Sequence, residues 1–281
     1  AFVTSSLAAP AIAGSTIAVR GARSSAYKNL RIADNATVDA TGSRQVSRDN
    51  YAFVFEGGTN TVLLGGYAEN TLPQSTSWRT FHSTAGAIFR SPRPKLVGAH
   101  FKNYGDSVRI TYAARDFLVR GNRFENMHDD AFLENDWEWG GVYEDNYADG
   151  LVGFSARPYK SDGYSDGSNR TLVIKNNILY LKPMESVYRG RTPGNGGLFK
   201  WRDRKGRGMR VSMTGNVIRV DQEPNCGSLV FPKNGRYSGN VVVWTGKGRY
   251  PERVPAGVKV LTGKAGLDYW KARVAAWEKR H

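Results

Sequence analysis

Short runs in which apolar and polar residues alternate recur along the chain, each closing on an asparagine followed by further apolar positions. They read Phe117-Leu118-Val119-Arg120-Gly121-Asn122-Arg123-Phe124 and Val142-Tyr143-Glu144-Asp145-Asn146-Tyr147. Then come Leu172-Val173-Ile174-Lys175-Asn176-Asn177-Ile178-Leu179, Val211-Ser212-Met213-Thr214-Gly215-Asn216-Val217-Ile218 and Tyr237-Ser238-Gly239-Asn240-Val241-Val242. Weaker relatives precede them at Val62-Leu63-Leu64-Gly65-Gly66-Tyr67 and Leu96-Val97-Gly98-Ala99-His100-Phe101. A period of two is the strand period, and Gly, Asn and Asp joints mark turns. The asparagines at 122, 146, 177, 216 and 240 are separated by 24, 31, 39 and 24 residues. Repeats of this length are stacking units that bury a core only against their neighbours. The longer intervals predict loops at 159–170 and 189–210, inserted into a basic unit of about 22 to 24 residues.

A second signal lies between the asparagines: an acid, a small residue, then an apolar one. It reads Asp106-Ser107-Val108, Asp130-Ala131-Phe132, Asp149-Gly150-Leu151 and Glu185-Ser186-Val187, with Cys226-Gly227-Ser228-Leu229 lacking the acid. An asparagine at one fixed turn position suits left-handed backbone geometry and can pair its amide with the next unit. In these interleaved repeats, over about residues 15 to 245, the chain resembles the right-handed parallel β-helix proteins of the pectate-lyase-like superfamily. The resemblance implies an all-β fold, a single-stranded right-handed parallel β-helix (solenoid) spanning 15–250. After Pro251 and Pro255 the pattern changes: Leu267, Trp270, Val274 and Trp277 recur at helical spacing. Residues 251–281 therefore read as a linker and a C-terminal amphipathic helix that packs on or caps the stack.

Composition narrows the possibilities. No run of about 18 apolar residues exists, which excludes a spanning helix. One cysteine excludes a disulfide framework, and the four histidines show no paired ligand spacing. Residues 1–14 are small, apolar and uncharged and contain Ala11-Ile12-Ala13, the form of an export-signal remnant or an apolar first strand. Export places the protein in a bacterial periplasm or outside the cell. The net charge of +15 favours a polyanionic partner. Nine of the 25 acids nevertheless crowd between Glu125 and Asp149, where there is no Lys or Arg.

That segment holds the densest candidate chemistry, Asn126-Met127-His128-Asp129-Asp130-Ala131-Phe132-Leu133-Glu134-Asn135-Asp136. Asp129, Asp130 and Glu134 could hold Ca²⁺ or divide into general acid and base, with His128 a further candidate for catalysis. Asp130 could equally cap a turn, since Asp106, Asp149 and Glu185 share its repeat position. In an extended strand Asp129 and Asp130 point to opposite sides, so at most one faces a groove. The repeat alignment turns Phe132 inward with Val108, Leu151 and Leu229; simple alternation buries Ala131 and Leu133 instead. Equal offsets from the asparagines put Glu134, Arg157 and Arg189 in one vertical row. By resemblance to calcium-dependent lyases of the superfamily, Arg157 or Lys160 is the base that removes a uronate proton. The run from Phe199 to Arg210 packs six basic residues around Trp201, and Lys200, Trp201, Arg202 and Arg204 with Arg189 and Trp137 would bind substrate. Trp139, Tyr143 and Tyr164 add aromatic surface near the acidic segment.

Three functions fit. The first is a Ca²⁺-assisted lyase cleaving an anionic, uronate-containing polysaccharide by β-elimination. The second is an inverting glycoside hydrolase using two of Asp129, Asp130, Glu134 and Asp149, although the Gly-His-Gly element usual in such hydrolases is missing. The third is a non-catalytic β-helix that binds a polymer, as in an adhesin. Nucleic acid ranks last as a partner, because the acidic segment repels phosphate from one face. No phosphate loop and no Gly-x-Ser-x-Gly elbow is present.

Overall fold

The alternation folds as its period demands, each strand pairing in parallel with one a repeat later. A computed structural model describes residues 14–111, 114–136, 140–157, 166–185, 194–201, 208–225 and 227–281. Its parallel sheet winds 326° round one axis, making a parallel β-helix with a short C-terminal helix. Of the proposed export remnant at 1–14, residues 1–13 lie outside the described residues.

Three faces enclose the core. On one, Val38, Leu63, Leu96, Val119, Tyr143, Ile174 and Met213 stand in a single register, each paired with the next. All are buried. Tyr143, expected as surface, is thus part of the core; its position in the alternation is inward. The second face stacks Ala68, Phe101, Phe124, Ala148, Leu179, Ile218 and Val242 in the same way. The third is aromatic, with Phe55 over Phe89 at 5.3 Å and Phe154 over Phe199 at 5.5 Å between ring centres. Each fully buried ring of this kind contributes about 1.5–3 kcal/mol of hydrophobic stabilisation. The strand Phe199–Trp201 falls inside the predicted 189–210 loop, so that interval contains a further piece of the third face.

The recurrent asparagines form a buried ladder at the corner between the first and second faces. Nδ2 of Asn122 donates to Oδ1 of Asn146 at 2.9 Å, Asn146 to Asn177 at 3.1 Å, Asn177 to Asn216 at 2.8 Å and Asn216 to Asn240 at 2.8 Å. Each Nδ2 also reaches a carbonyl of the preceding turn, such as Val119 O for Asn146. Each Oδ1 accepts a backbone N–H as well. The left-handed position is one residue earlier than expected: Gly98, Gly121, Asp145, Asn176, Gly215 and Gly239 carry φ between 53° and 68°. Glycine meets no Cβ clash there, and Asp and Asn are the side chains that best tolerate it.

The helix Gly263–Glu278 lies along the outside of the second face, with Trp270 and Trp277 buried against Ile178, Val217 and Val243. It packs on the stack's flank, and Trp277 Nε1 donates to Asp145 O at 2.8 Å. Before it, Val258–Thr262 pairs with Asn240–Trp244, so the sheet continues past residue 250.

Asn146→Ala strips partners from the Asn122 N–H and amide, Val119 O and Asn177 Oδ1 at once. At about 1–3 kcal/mol for each buried group left unpaired, urea unfolding should show a loss of about 3–6 kcal/mol. A loss under about 1 kcal/mol would show that the ladder is incidental to stability.

Candidate functional site

The long strand Arg123–Asp136 has 14 residues where its neighbour Tyr147–Arg157 has 11. The surplus is absorbed at three register shifts, between Phe124 and Met127, Met127 and Asp130, and Asp130 and Leu133. Such bulges re-aim side chains and break the alternation. Asp129 and Asp130 therefore do not point to opposite sides: one ammonium, Lys200 Nζ, stands 2.8 Å from Oδ1 of each. The same shifts bury Ala131, Phe132 and Leu133 together, so both orientations expected for this segment are partly realised. Phe132 joins the core of Val108 and Leu229, while Leu151 packs separately with Val152 and Met184.

The bulges also decide which residues stack. Arg109, Glu134, Ser155 and Lys200 form one row across four turns, and Arg157 aligns with Asp136. Glu134 and Arg157 therefore do not share a row, because a fixed offset from the asparagine ignores the surplus residues; Arg189, the third member expected there, lies outside the described residues. Asp130 does stack beside Asp106, whose Oδ1 accepts the Asp130 N–H at 2.9 Å. Asp149 instead sits beside Asn126, accepting its N–H at 2.7 Å, and Glu185 is exposed. Asp149 is also bonded by the Tyr147 hydroxyl at 3.0 Å, and burial raises its carboxyl above the ordinary range.

A second approach comes from the turn Trp78–Phe81, which sets the following residue, His82, over the cluster. His82 Nδ1 donates to Asp129 Oδ2 at 2.5 Å, and its ring stacks on Trp78 with centres 4.7 Å apart. Asp106, Asp129 and Asp130 are at most 3% exposed, whereas the side chains of His82 and Lys200 are 46% and 39% exposed. An approaching ligand meets the imidazole and the ammonium first, with the carboxylates behind them.

These contacts drive the adjacent carboxyls apart. Burial, and then the Asp129 charge, push Asp130 up to about 7. Burial also disfavours the Asp129 anion, but the bonds from His82 and Lys200 outweigh it and hold that carboxyl at about 2. The bond to Asp129 raises His82. Burial works against the Lys200 charge, yet Asp130 and Asp129 more than offset it and raise its proton affinity. Four carboxyls (Asp106, Asp129, Asp130, Glu134) thus face the Arg109 guanidinium, the Lys200 ammonium and the His82 ring.

The predicted site residues fare unevenly. Asp129, Asp130 and Lys200 come together. Glu134 pairs with Arg109 at 3.0 Å. His128 is fully buried, stacked on Phe81 and bonded through Nε2 to Asn103 at 2.8 Å; burial depresses it to about 3, so it stays neutral. Lys160, Arg189, Arg202, Arg204, Trp137, Trp139, Tyr164 and Cys226 lie outside the described residues, as do the side chains of Arg157 and Trp201. His82 and Arg109 were not singled out by the repeat pattern; Asp106 was, but only as a turn position.

The three aspartates offer oxygens within 4.8 Å of one another, close enough for a metal ion. Ca²⁺ takes six to eight oxygen ligands. Here both Asp129 oxygens are engaged by His82 and Lys200, both Asp106 oxygens by the Asp130 N–H and Arg109, and Asp130 Oδ1 faces Lys200. As arranged, the donor set serves cationic side chains and does not fit a resident calcium.

Three further acids of the segment also meet cations, Arg123 from the same strand and the others from elsewhere in the fold. Glu125 meets His100 at 2.6 Å and Arg123 at 2.9 Å, Glu144 meets Lys175 at 2.5 Å, and Asp145 meets Arg280 at 2.9 Å. No protein-family model, curated protein or solved structure matches the chain. Among the described residues no helix is long and apolar enough to cross a membrane.

Asp130 ionises near 3.9 when unfolded and near 7 when folded, so its contribution to stability is complete below about pH 4 and lost as pH rises to 7. Asp129, depressed, has the opposite sign, its contribution fading as pH falls from about 4 toward 2. Asp130→Asn should therefore gain stability relative to the native chain between pH 4 and 7 in denaturant titrations. A difference that is flat across that range would contradict the assignment.

Proposed function

We propose that this chain cleaves an anionic polysaccharide, and does so by hydrolysis. The observation that carries the reading is the pair of neighbouring buried carboxyls that share one ammonium at 2.8 Å, in surroundings that push their proton affinities apart. Two carboxyls whose surroundings separate their proton affinities are an acid and a base at the same pH. Asp130 gives its proton to the glycosidic oxygen as the bond to the anomeric carbon breaks. Asp129, kept ionised, takes a proton from the attacking water once the half-exposed His82 ring moves off its Oδ2, as the water oxygen bonds to the anomeric carbon. Lys200 and His82, the exposed members, suit the acidic groups of such a polymer, and the net charge of +15 suits its approach. A place in the pectate-lyase-like superfamily and export from the cell belong to the same reading.

One observation favours β-elimination as a second reading. A half-exposed imidazole oriented by a buried carboxylate, beside an ammonium, is a base next to a group that neutralises a uronate. In that case His82 takes the role first given to Arg157 or Lys160, and Lys200 the charge neutralisation first given to calcium.

Pectate, alginate, glucuronan and glycosaminoglycans should be screened for new reducing ends and for the ultraviolet absorbance of unsaturated ends, with and without chelator. Hydrolysis gives reducing ends without absorbance, insensitive to chelator. Asp130→Asn should then lower kcat by roughly 100- to 10,000-fold. Absorbance abolished by His82→Ala would move the assignment to β-elimination, and absorbance abolished by chelator would restore the calcium lyase. Salt-sensitive retention on a polymer without product would leave a binding protein.

A further inference from the structure

Arg109 stands at the centre of the cluster without facing its open side. It lies on the strand Asp106–Ile110, in register with Ile88 on one side and Glu134 on the other. Nε meets the Asp106 carboxylate three residues back, and Glu134 Oε2 lies 3.0 Å from the same atom. Nη2 donates to the carbonyl of His82 at 2.5 Å. The side chain is 15% exposed, and those of Asp106 and Glu134 are 0% and 3% exposed.

One planar group thus holds two things that the chemistry needs. The first is Asp106, whose other oxygen receives the Asp130 N–H and so sets where Asp130 stands. The second is the backbone of His82, whose ring is bonded to Asp129. We propose that Arg109 is the positioning residue of this site, tying the Asp106–Asp130 side to the His82–Asp129 side, with Glu134 fixing its guanidinium. The assignment rests on the hydrolytic reading above. Glu134 then acts through Arg109 and not as a metal ligand. A lysine keeps the charge but not the fork, because an ammonium on a flexible stem does not reproduce the rigid spread of guanidinium donors. The charged and titratable groups that face Arg109 are Asp106 on its own strand, Glu134 from the next turn and Tyr51 from two turns before. Beyond them stand Asp129, Asp130, Lys200 and His82.

Arg109→Lys, Arg109→Met and Glu134→Gln would be assayed on the polymer identified by the screen, with thermal unfolding to measure the folded fraction. Arg109→Lys should lower kcat roughly 100-fold with KM little changed, the signature of displaced groups and not of lost binding. Arg109→Met removes a cation beside the carboxyls and should move both limbs of the pH profile upward. Glu134→Gln leaves more of the Arg109 charge to the aspartates and should move them downward. Activity that tracks only the folded fraction, with unmoved limbs, would overturn the proposal. A second readout needs no turnover: in Arg109→Lys the His82 imidazole, followed by NMR, should titrate closer to 6.5 as its anchor on Asp129 loosens. An unchanged His82 titration would also overturn it. A native chain that cleaves none of the polymers would refute the hydrolytic reading, and the His82 titration would still decide the role of Arg109.

Discussion

In-register parallel pairing is the constraint from which the rest of this molecule follows. Each turn must lie about 4.8 Å above the last so that its strands find their hydrogen bonds. The asparagine ladder enforces this at one corner, because the amides of Asn122, Asn146, Asn177 and Asn216 are each bonded to the turns on both sides. With the register held, residues remote in sequence become neighbours: Lys200 reaches Asp129 across 71 positions and His82 reaches it across 47. The strand Arg123–Asp136, whose pairing shifts register three times, does so where the carboxyls gather.

A cluster of carboxyls in so dry a place would be costly to bury if left alone. The fold offsets that cost by bringing cations from other turns. Asp130 holds its proton more tightly than an ordinary carboxyl because it is buried and stands beside the Asp129 charge. Buried ionic groups of this kind add little net stability beside well-packed apolar ones. Here the arrangement yields an acid and its conjugate partner side by side, which an apolar core would not.

The architecture was legible because it repeats. Asn122, Asn146, Asn177, Asn216 and Asn240 announce the ladder, and the alternation around Val119, Ile174 and Met213 announces the inward stack. The left-handed residue was displaced by one, because a ladder amide and a turn dihedral prefer the same residue types. The site was legible only in part. Asp129, Asp130 and Lys200 stood out by density of charge, but their meeting depends on three single-residue bulges that no periodicity records. His82 and Arg109 gave no repeat signal: His82 follows the inserted turn Trp78–Phe81, and the role of Arg109 lies in partners on other turns. The acidic segment in a basic protein was hard to read for the same reason, since several of its partners come from other turns, as His100 does for Glu125, Lys175 for Glu144 and Lys200 for Asp129.

The central claim is that one proton resides on Asp130 beside an ionised Asp129. The most direct test follows the carbon-13 chemical shifts of the aspartate carboxyls by NMR as pH is varied, with Asp129→Asn and Asp130→Asn for assignment. The account predicts one carboxyl of the pair titrating near 7 and the other near 2. Two carboxyls titrating together near the ordinary value of about 4 would contradict it.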